Sequence, residues 1–106
     1  MSKNYTSIYF PDTRLHMTWN FGTPLQYPLN VKPQENVKVI VVGKYNDKDV
    51  SCLIVTYNGI THQPCGTLLH ITTRFDNGVK PVESGRRATK NGYKKIEPYE
   101  LNGFWS

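Results

Sequence analysis

Two short segments of the sequence carry the same arrangement of chemically useful residues. One runs from Leu15 to Thr18 and the other from Leu69 to Thr72, and each reads apolar residue, histidine, apolar residue, threonine. Side chains alternate between the two faces of a β-strand, so each segment would place its histidine and its threonine on one shared face. Two such strands facing each other would supply two proton-transfer groups and two hydroxyl donors, which suffice to cleave a phosphodiester without a metal ion.

The two histidines, His16 and His70, suit the two proton transfers of such a reaction. Histidine has an unperturbed pKa of about 6.5, so one imidazole can take a proton from water while the other protonates the departing ribose oxygen. The hydroxyls of Thr18 and Thr72 can donate to the phosphate oxygens where charge accumulates. A single strand histidine is more often a structural residue than a catalyst. The repetition favours catalysis, and which histidine is the base stays open.

The charge of the chain favours a polyanionic partner. The 106 residues include 13 Lys and Arg against 8 Asp and Glu, for a net charge of +5. Six basic residues lie between Lys80 and Lys95, directly after the second histidine segment, with Glu83 as the only acid among them. We expect this patch to bind a nucleotide or an RNA backbone. The alternative is a solvated basic loop that only keeps the protein soluble.

The pattern of apolar residues and turns predicts a mainly β protein with few helices. Asn-Gly pairs, which suit tight turns, follow or interrupt the β-rich stretches at residues 58, 77, 91 and 102. The best hairpin signal joins two near-continuous apolar runs, which predicts interior strands covered on both faces. The helix signal is weak throughout and is strongest between Ser84 and Thr89, although Gly85 weakens it there. The predicted strands are Ser7 to Phe10, Arg14 to Phe21, Val37 to Tyr45, Val50 to Tyr57, Thr67 to Phe75, Tyr93 to Glu97 and a short one at Leu101 to Trp105.

Length and composition indicate one domain, which at this size can bury about two-thirds of its unfolded surface. The chain has no apolar stretch near the roughly 20 residues of a membrane span and no apolar run at its amino terminus, so we expect a cytoplasmic protein that does not bind membranes. Its two cysteines, Cys52 and Cys65, are expected to be free thiols.

The two histidine motifs resemble those of the 2H phosphoesterase superfamily, in which each of two lobes contributes one His-x-Thr or His-x-Ser strand. The segment from Leu69 to Ser84 is similar to the second motif of the cyclic phosphodiesterase domain in fungal-type tRNA ligases and their viral relatives. There, a His-x-Thr strand is followed by a turn and a stretch like Val79-Lys80-Pro81-Val82. The match covers about sixteen residues well, and elsewhere it depends on the first motif.

The resemblance implies a fold and a reaction. It implies an α+β protein of two-lobed antiparallel sheets with pseudo-twofold symmetry, the lobes spanning roughly residues 1–48 and 49–106. It makes His16 and His70 the catalytic pair and Thr18 and Thr72 their phosphate-binding partners, with no cofactor. Family members are longer and carry helices on the outer faces of both lobes. This chain would therefore have a reduced fold, or a partner subunit would cover those faces.

The implied substrate is RNA or a nucleotide carrying a 2′,3′-cyclic phosphate, opened to a 2′-phosphate. Degradation of a small cyclic or 2′-5′-linked oligonucleotide signal, of the viral anti-defence type, is the competing substrate class. Chemistry alone adds candidates for substrate binding, with aromatic rings to stack on a base and cations to hold the phosphate. These candidates are Tyr9, Trp19, Tyr93 and Tyr99 for the base and Arg74 and Lys80 for the phosphate.

Two readings of other classes remain open. His62, Cys65 and His70 are three possible zinc ligands within nine residues, but their spacing matches no standard zinc motif and a fourth ligand is missing. A small basic β-barrel that binds single-stranded nucleic acid without catalysis is the other reading. It would use the aromatic residues and the patch from Lys80 to Lys95, and it leaves the repeated histidine motif unexplained.

Overall fold

A computed structural model describes residues 7–18, 36–63, 66–76 and 78–105, which form a six-stranded barrel with one helix on its outside. The strands close in the order β1-β2-β5-β4-β3-β6, and every neighbouring pair is antiparallel. No helix in these residues is long and apolar enough to cross a membrane. The elements are β1 (Ser7–Phe10), β2 (Leu15–Thr18), β3 (Val37–Asn46), β4 (Val50–Thr56), β5 (His70–Phe75), α1 (Val82–Asn91) and β6 (Lys94–Trp105).

The period-two alternation of the strands fills the barrel with apolar side chains. In β3, buried valines at positions 37, 39 and 41 alternate with more exposed residues, and Ile8, Phe10 and Trp105 close the same core from β1 and β6. Met17 and Ile71, from the centres of the two histidine segments, are fully buried in this cluster. Each such side chain contributes roughly 1.5 to 3 kcal/mol when it leaves water. The core therefore determines which face of every strand points outward.

The predicted hairpin forms, but the prediction that both faces of its strands are covered is wrong. Strands β3 and β4 pair through the turn that begins at Asp47. The outer face of β3 is not covered along its length, because Lys38 and Lys44 are exposed. The reason is that a closed barrel buries only the inward face of a strand, and α1 shields little more than the outer faces of β4 and β5.

Strand β6 corrects the prediction of two separate strands. It runs without a break from Lys94 to Trp105, and the pair Asn102-Gly103 lies inside it rather than at a turn. Pro98 is tolerated because the register against β3 shifts between Val41 and Gly43, so the proline falls where no ladder hydrogen bond is required. The pair Asn58-Gly59 does form a tight turn, with φ of 49° and 79°.

The helix extends further than the sequence indicated. α1 begins after Pro81 and ends before Gly92, with Glu83 in its first turn and Lys90 in its last, as the helix dipole favours. Ala88 packs with Cys52 and Ile54 of β4 in a second apolar cluster outside the barrel. Cys52 is a free, buried thiol, and Cys65 lies outside the described residues. This small cluster attaches α1 to the sheet.

Several boundaries of the motif strands differ from the prediction. β5 begins at His70 rather than Thr67, and β2 covers Leu15–Thr18, while residues 19–21 of its predicted length lie outside the described residues. The mainly β class is confirmed. The expected division into two lobes with pseudo-twofold symmetry is not confirmed, because all six strands belong to one barrel.

Candidate functional site

The two histidine motifs lie on neighbouring strands and are paired at equivalent positions. β2 and β5 are antiparallel, and Met17 is the register partner of Ile71, the third residue of one motif opposite the third residue of the other. Extending this register by one residue in each direction sets His16 opposite Thr72 and His70 opposite Thr18. Since Met17 and Ile71 point into the core, all four polar side chains belong to the outer face of the barrel.

The imidazole of His70 is buried and held in one orientation. His70 is only 5% exposed, and its Nδ1 lies 2.7 Å from the carbonyl oxygen of Leu68. A carbonyl oxygen only accepts hydrogen bonds, so Nδ1 carries the hydrogen and the neutral ring keeps its lone pair on Nε2. Burial lowers the pKa of His70 below its ordinary value, although the bond to Leu68 acts in the opposite direction. Burial therefore favours the neutral imidazole, in which Nε2 is the acceptor.

Gly85 allows α1 to lie directly on this ring. A β-carbon at position 85 would overlap His70 at Cε1, Nδ1 and Nε2. Glycine inside a helix costs about 1 kcal/mol relative to alanine, so a close approach of this kind accounts for its presence. The helix thus fixes one face of the imidazole, and no described residue forms a hydrogen bond with Nε2.

The two threonines of the motifs have different surroundings. The hydroxyl of Thr72 lies 3.1 Å from the carbonyl oxygen of Pro81 and 2.9 Å from Oγ of Ser84, which itself donates to Pro81. The single hydrogen of Thr72 is therefore used at the start of α1. Thr18 is half-buried, its carbonyl accepts a hydrogen bond of 2.7 Å from Gln63, and its hydroxyl has no partner among the described residues.

His16 stands at the end of a row of rings that crosses three strands. Its imidazole is exposed, and the ring of Tyr9 on β1 lies 4.8 Å away between centroids at a tilt of 45°. Phe104 on β6 follows at 5.7 Å from Tyr9, in an edge-on arrangement. The register explains the row, because Tyr9 pairs with His16 on one side and with Phe104 on the other. We call Tyr9 and Phe104 the aromatic row.

Arg74 lies on β5 but is directed to the turn between β3 and β4. Its guanidinium donates to the carbonyl oxygens of Asp47 and Lys48 and to the side chains of Asn46 and Asp76. It is therefore held by this turn, and the structure gives it no contact with either histidine.

The other candidates are divided between two surfaces or lie outside the described residues. Lys80 is exposed just before Pro81, which bonds to Thr72, so it is next to the second motif. The ring of Tyr93 packs on Gly43 of β3, away from the motifs, and Tyr99 is 44% exposed on β6 opposite Val41. Trp19 lies outside the described residues.

The proposed zinc ligands are not gathered in the described part of the chain. Residues 7–18, 36–63, 66–76 and 78–105 contain no group of three or more His, Cys, Asp or Glu side chains that could hold a metal ion. His62 is exposed and its Nδ1 lies 2.7 Å from the hydroxyl of Thr61, while His70 is buried. Cys65 lies outside the described residues.

No protein-family model, curated protein or solved structure matches this chain. The assignment of a function therefore depends on the geometry of its own residues.

Sequence reasoning missed two residues that shape this site, Gly85 and Phe104. A glycine in the middle of an otherwise helical stretch was the available signal for Gly85, because its cost in a helix requires a compensating contact. Phe104 precedes the buried Trp105 in β6, so strand alternation could have predicted that its side chain points outward. The position of Phe104 beside Tyr9 could not be predicted, since only the closing of the barrel brings β6 next to β1.

Proposed function

We propose that this protein is a metal-independent phosphodiesterase that hydrolyses a 2′,3′-cyclic phosphate at an RNA end or on a nucleotide, with His16 and His70 as its acid–base pair. The observation that carries the proposal is the register of β2 and β5, which pairs Met17 with Ile71. Diagonal neighbours on adjacent antiparallel strands are roughly 7 to 8 Å apart. Such a diagonal between His16 and His70 is of a suitable size for a phosphate between two imidazole tips.

The surroundings of the two histidines support different tasks for them. His70 is neutral, with the lone pair on Nε2, so it acts as the base that accepts a proton from the attacking water. His16 is exposed to solvent, so it takes the role of the acid. The water oxygen bonds to phosphorus, one phosphorus–oxygen bond to the ribose breaks, and the ribose oxygen leaves with the proton from His16. Solvent then returns the protons to their starting places.

Binding of the phosphate and the base would use the remaining side chains of this face. The hydroxyl of Thr18 is available to donate to a non-bridging oxygen, and Lys80 adds a positive charge beside the second motif. Thr72 joins them only by exchanging its bond to Pro81 for one to the phosphate. The aromatic row next to His16 offers a stacking surface for the base of the same nucleotide.

Membership of the 2H phosphoesterase superfamily belongs to the same proposal, with one barrel around the paired motifs in place of the two lobes of that family. The finer substrate choice between an RNA end, a mononucleotide and a cyclic or 2′-5′-linked signalling oligonucleotide depends on which product appears. A cytoplasmic location would suit each of these substrates.

A non-catalytic barrel that binds single-stranded nucleic acid is the second candidate. The contacts of the second motif with α1 favour it. His70 is only 5% exposed beneath α1, and the hydroxyl of Thr72 is hydrogen-bonded to Pro81 at the start of the helix. In that case the second motif is a structural support for α1 and only the first motif faces solvent.

Turnover separates the two candidates. The purified protein is incubated with 2′,3′-cyclic mononucleotides, RNA with a cyclic end, and cyclic or 2′-5′-linked oligonucleotides, in the presence of EDTA. We expect one class to be hydrolysed, and His16→Ala and His70→Ala to lower turnover by about 10² to 10⁴ each. His62→Ala is the matched control, since His62 is exposed and bonded to Thr61. Full activity in a folded protein lacking both His16 and His70 would refute the catalytic proposal.

A further inference from the structure

Two neighbouring grooves on the outside of the protein share Asn91, the last residue of α1. The first has a volume of about 360 Å³ and runs between β3, the end of α1 and the start of β6. We call it the lysine groove, after Lys44 and Lys94. The second, of about 450 Å³, lies between α1 and the turn after β3. Their charges are arranged differently.

The second groove neutralises its charges internally. Arg87 donates to the carboxylates of Asp47 at 3.2 Å and Asp49 at 3.0 Å, and Arg86 lies 3.3 Å from Glu83. Asp47 also accepts hydrogen bonds from Tyr45 and from two backbone amides of its turn, which hold the pKa of its carboxyl well below the ordinary value. These acids pair with the arginines, and none of them forms an ion pair with Lys44 or Lys94 in the described part of the chain.

The lysine groove contains two positive charges and no carboxylate among the described residues that line it. Lys44 and Lys94 are direct register partners on β3 and β6, and both are exposed. Like charges directly opposite each other across a sheet are destabilising. Neither lysine forms an ion pair within the described part of the chain, whereas a bound anion would remove the repulsion between them.

An aromatic ring forms one wall of this groove. Tyr93 precedes Lys94, and its ring rests on Gly43 at the point where the register of β3 shifts. A β-carbon at position 43 would overlap the ring, so the glycine allows Tyr93 to lie against β3, where it is half-buried beside the second apolar cluster. Tyr93 also lines the groove, and cations beside an aromatic ring are the combination with which proteins bind single-stranded nucleic acid, whose phosphates pair with the cations while its bases stack.

We propose that the lysine groove binds the phosphate backbone of a single-stranded nucleic acid, with Lys44 and Lys94 on the phosphates and a base on Tyr93. This site is separate from the paired histidine motifs, and it does not require that the protein hydrolyse anything. An acidic protein would satisfy the lysines but has no use for the ring, so nucleic acid is the partner that accounts for all three residues.

Binding of a fluorescent single-stranded RNA with a 3′-phosphate, followed by anisotropy at several salt concentrations, tests this proposal without involving cleavage. We expect Lys44→Glu and Lys94→Glu to weaken binding at least threefold each and at least tenfold together. The slope of log affinity against log salt should fall by about 1.4 in the double variant, since each phosphate contact on a single strand contributes about 0.7. Tyr93→Leu should weaken binding about tenfold through lost stacking.

The matched control is Lys38→Glu, on the same strand, also exposed and paired with Asn102. Six residues along a strand separate it from Lys44 by about 20 Å. We expect its affinity to stay within twofold of the wild type. Lys94→Gln provides a second check, because removing one of two like charges should weaken RNA binding without lowering the melting temperature.

Three results would overturn the proposal. They are equal weakening by Lys38→Glu and the groove variants, an unchanged salt slope in the folded double variant, and displacement of the RNA by polyglutamate at equal charge concentration. The outcome is independent of the proposed hydrolysis. If RNA binding depends on the two lysines but the protein hydrolyses no cyclic phosphate, only the phosphodiesterase proposal is refuted. Hydrolysis of mononucleotides without lysine-dependent RNA binding would refute only the groove.

Discussion

The α-carbon of Gly85 lies against the imidazole of His70, with no space for a β-carbon between the helix and the ring. This contact makes α1 part of the site, because the helix both buries His70 and limits the directions from which its Nε2 can be reached. The contact also makes the two motif histidines differ in burial. His70 is enclosed and held in place, whereas His16, two strand positions away on the diagonal, is exposed.

Replacing Gly85 with alanine should destabilise the protein although alanine is the better helix former. Helix propensity alone predicts a gain of about 1 kcal/mol, and forcing a methyl group into the ring of His70 is expected to cost about 1 to 3 kcal/mol. Urea unfolding should therefore show a net loss of up to about 2 kcal/mol. Lys90→Ala, on the exposed side of the same helix, is the control and should stay within about 0.5 kcal/mol. A stabilised Gly85→Ala variant would contradict the contact.

The burial of His70 predicts a stability that decreases as the pH falls. Its folded pKa lies below the ordinary value of 6.5, so the unfolded chain takes up a proton at a pH where the folded protein does not. The free energy of unfolding should be unaffected by this group well above pH 6.5 and should decrease below it, with a slope of at most about 1.4 kcal/mol per pH unit.

Urea unfolding between pH 5 and 8 measures this slope, above the range where carboxylates titrate. His70→Gln should remove the component that belongs to His70, and His62→Gln, at an exposed histidine, should keep it. If wild type and His70→Gln change in parallel with pH, the burial of the imidazole does not influence stability in this way.

The two motif threonines should separate stability from activity. Thr72→Val removes the bond to Pro81 and Ser84, so we expect unfolding to become easier by roughly 0.5 to 1.5 kcal/mol. Thr18→Val removes a hydroxyl without a partner among the described residues, so it should leave stability within about 0.5 kcal/mol and reduce turnover of a cyclic phosphate. Urea unfolding and steady-state kinetics on the same two proteins give both readouts. The reverse pattern would mean that Thr72 is the phosphate donor.

Tyr9 should affect the binding of the base and leave the chemical step unchanged. Its ring is 4.8 Å from His16, and one stacked base contributes about 1 to 3 kcal/mol to binding. Tyr9→Leu should therefore raise KM for a 2′,3′-cyclic mononucleotide about tenfold with little change in kcat. The same variant should behave like the wild type on ribose 2′,3′-cyclic phosphate, which has no base. An equal effect on both substrates would show that Tyr9 instead positions His16.

Particular elements show how far sequence reasoning reached. The alternation in the two motifs predicted that each histidine shares a strand face with its threonine, and the structure sets that face outward because Met17 and Ile71 are buried in the barrel. The prediction of two strands at the end of the chain failed at Pro98, because β6 bulges there and its residues 96–98 have no register partner on β3. The bulge is defined by the pairing with β3, which lies more than 50 residues away in the sequence, so no local pattern indicates it.

The patch between Lys80 and Lys95 shows a second limit of local reading. In the sequence its six cations are equivalent. In the structure Arg86 and Arg87 are paired with carboxylates, while Lys94 stands opposite Lys44, which the patch does not include. Whether a charge is neutralised depends on neighbours from other elements, and the order of residues along the chain does not specify them.

The sequence by itself determined the mainly β class, the location of most strands and the shared face of the histidine and threonine in each motif, since these depend on side-chain type and on a period of two. Only the tertiary structure decided that β2 and β5 are neighbours, that Met17 meets Ile71, and that Gly85 brings α1 onto His70. Strand order and register follow from closing one barrel around a shared core. Barrel closure depends on the free energy of the whole chain, so the pattern of a single segment does not indicate which strands will be neighbours.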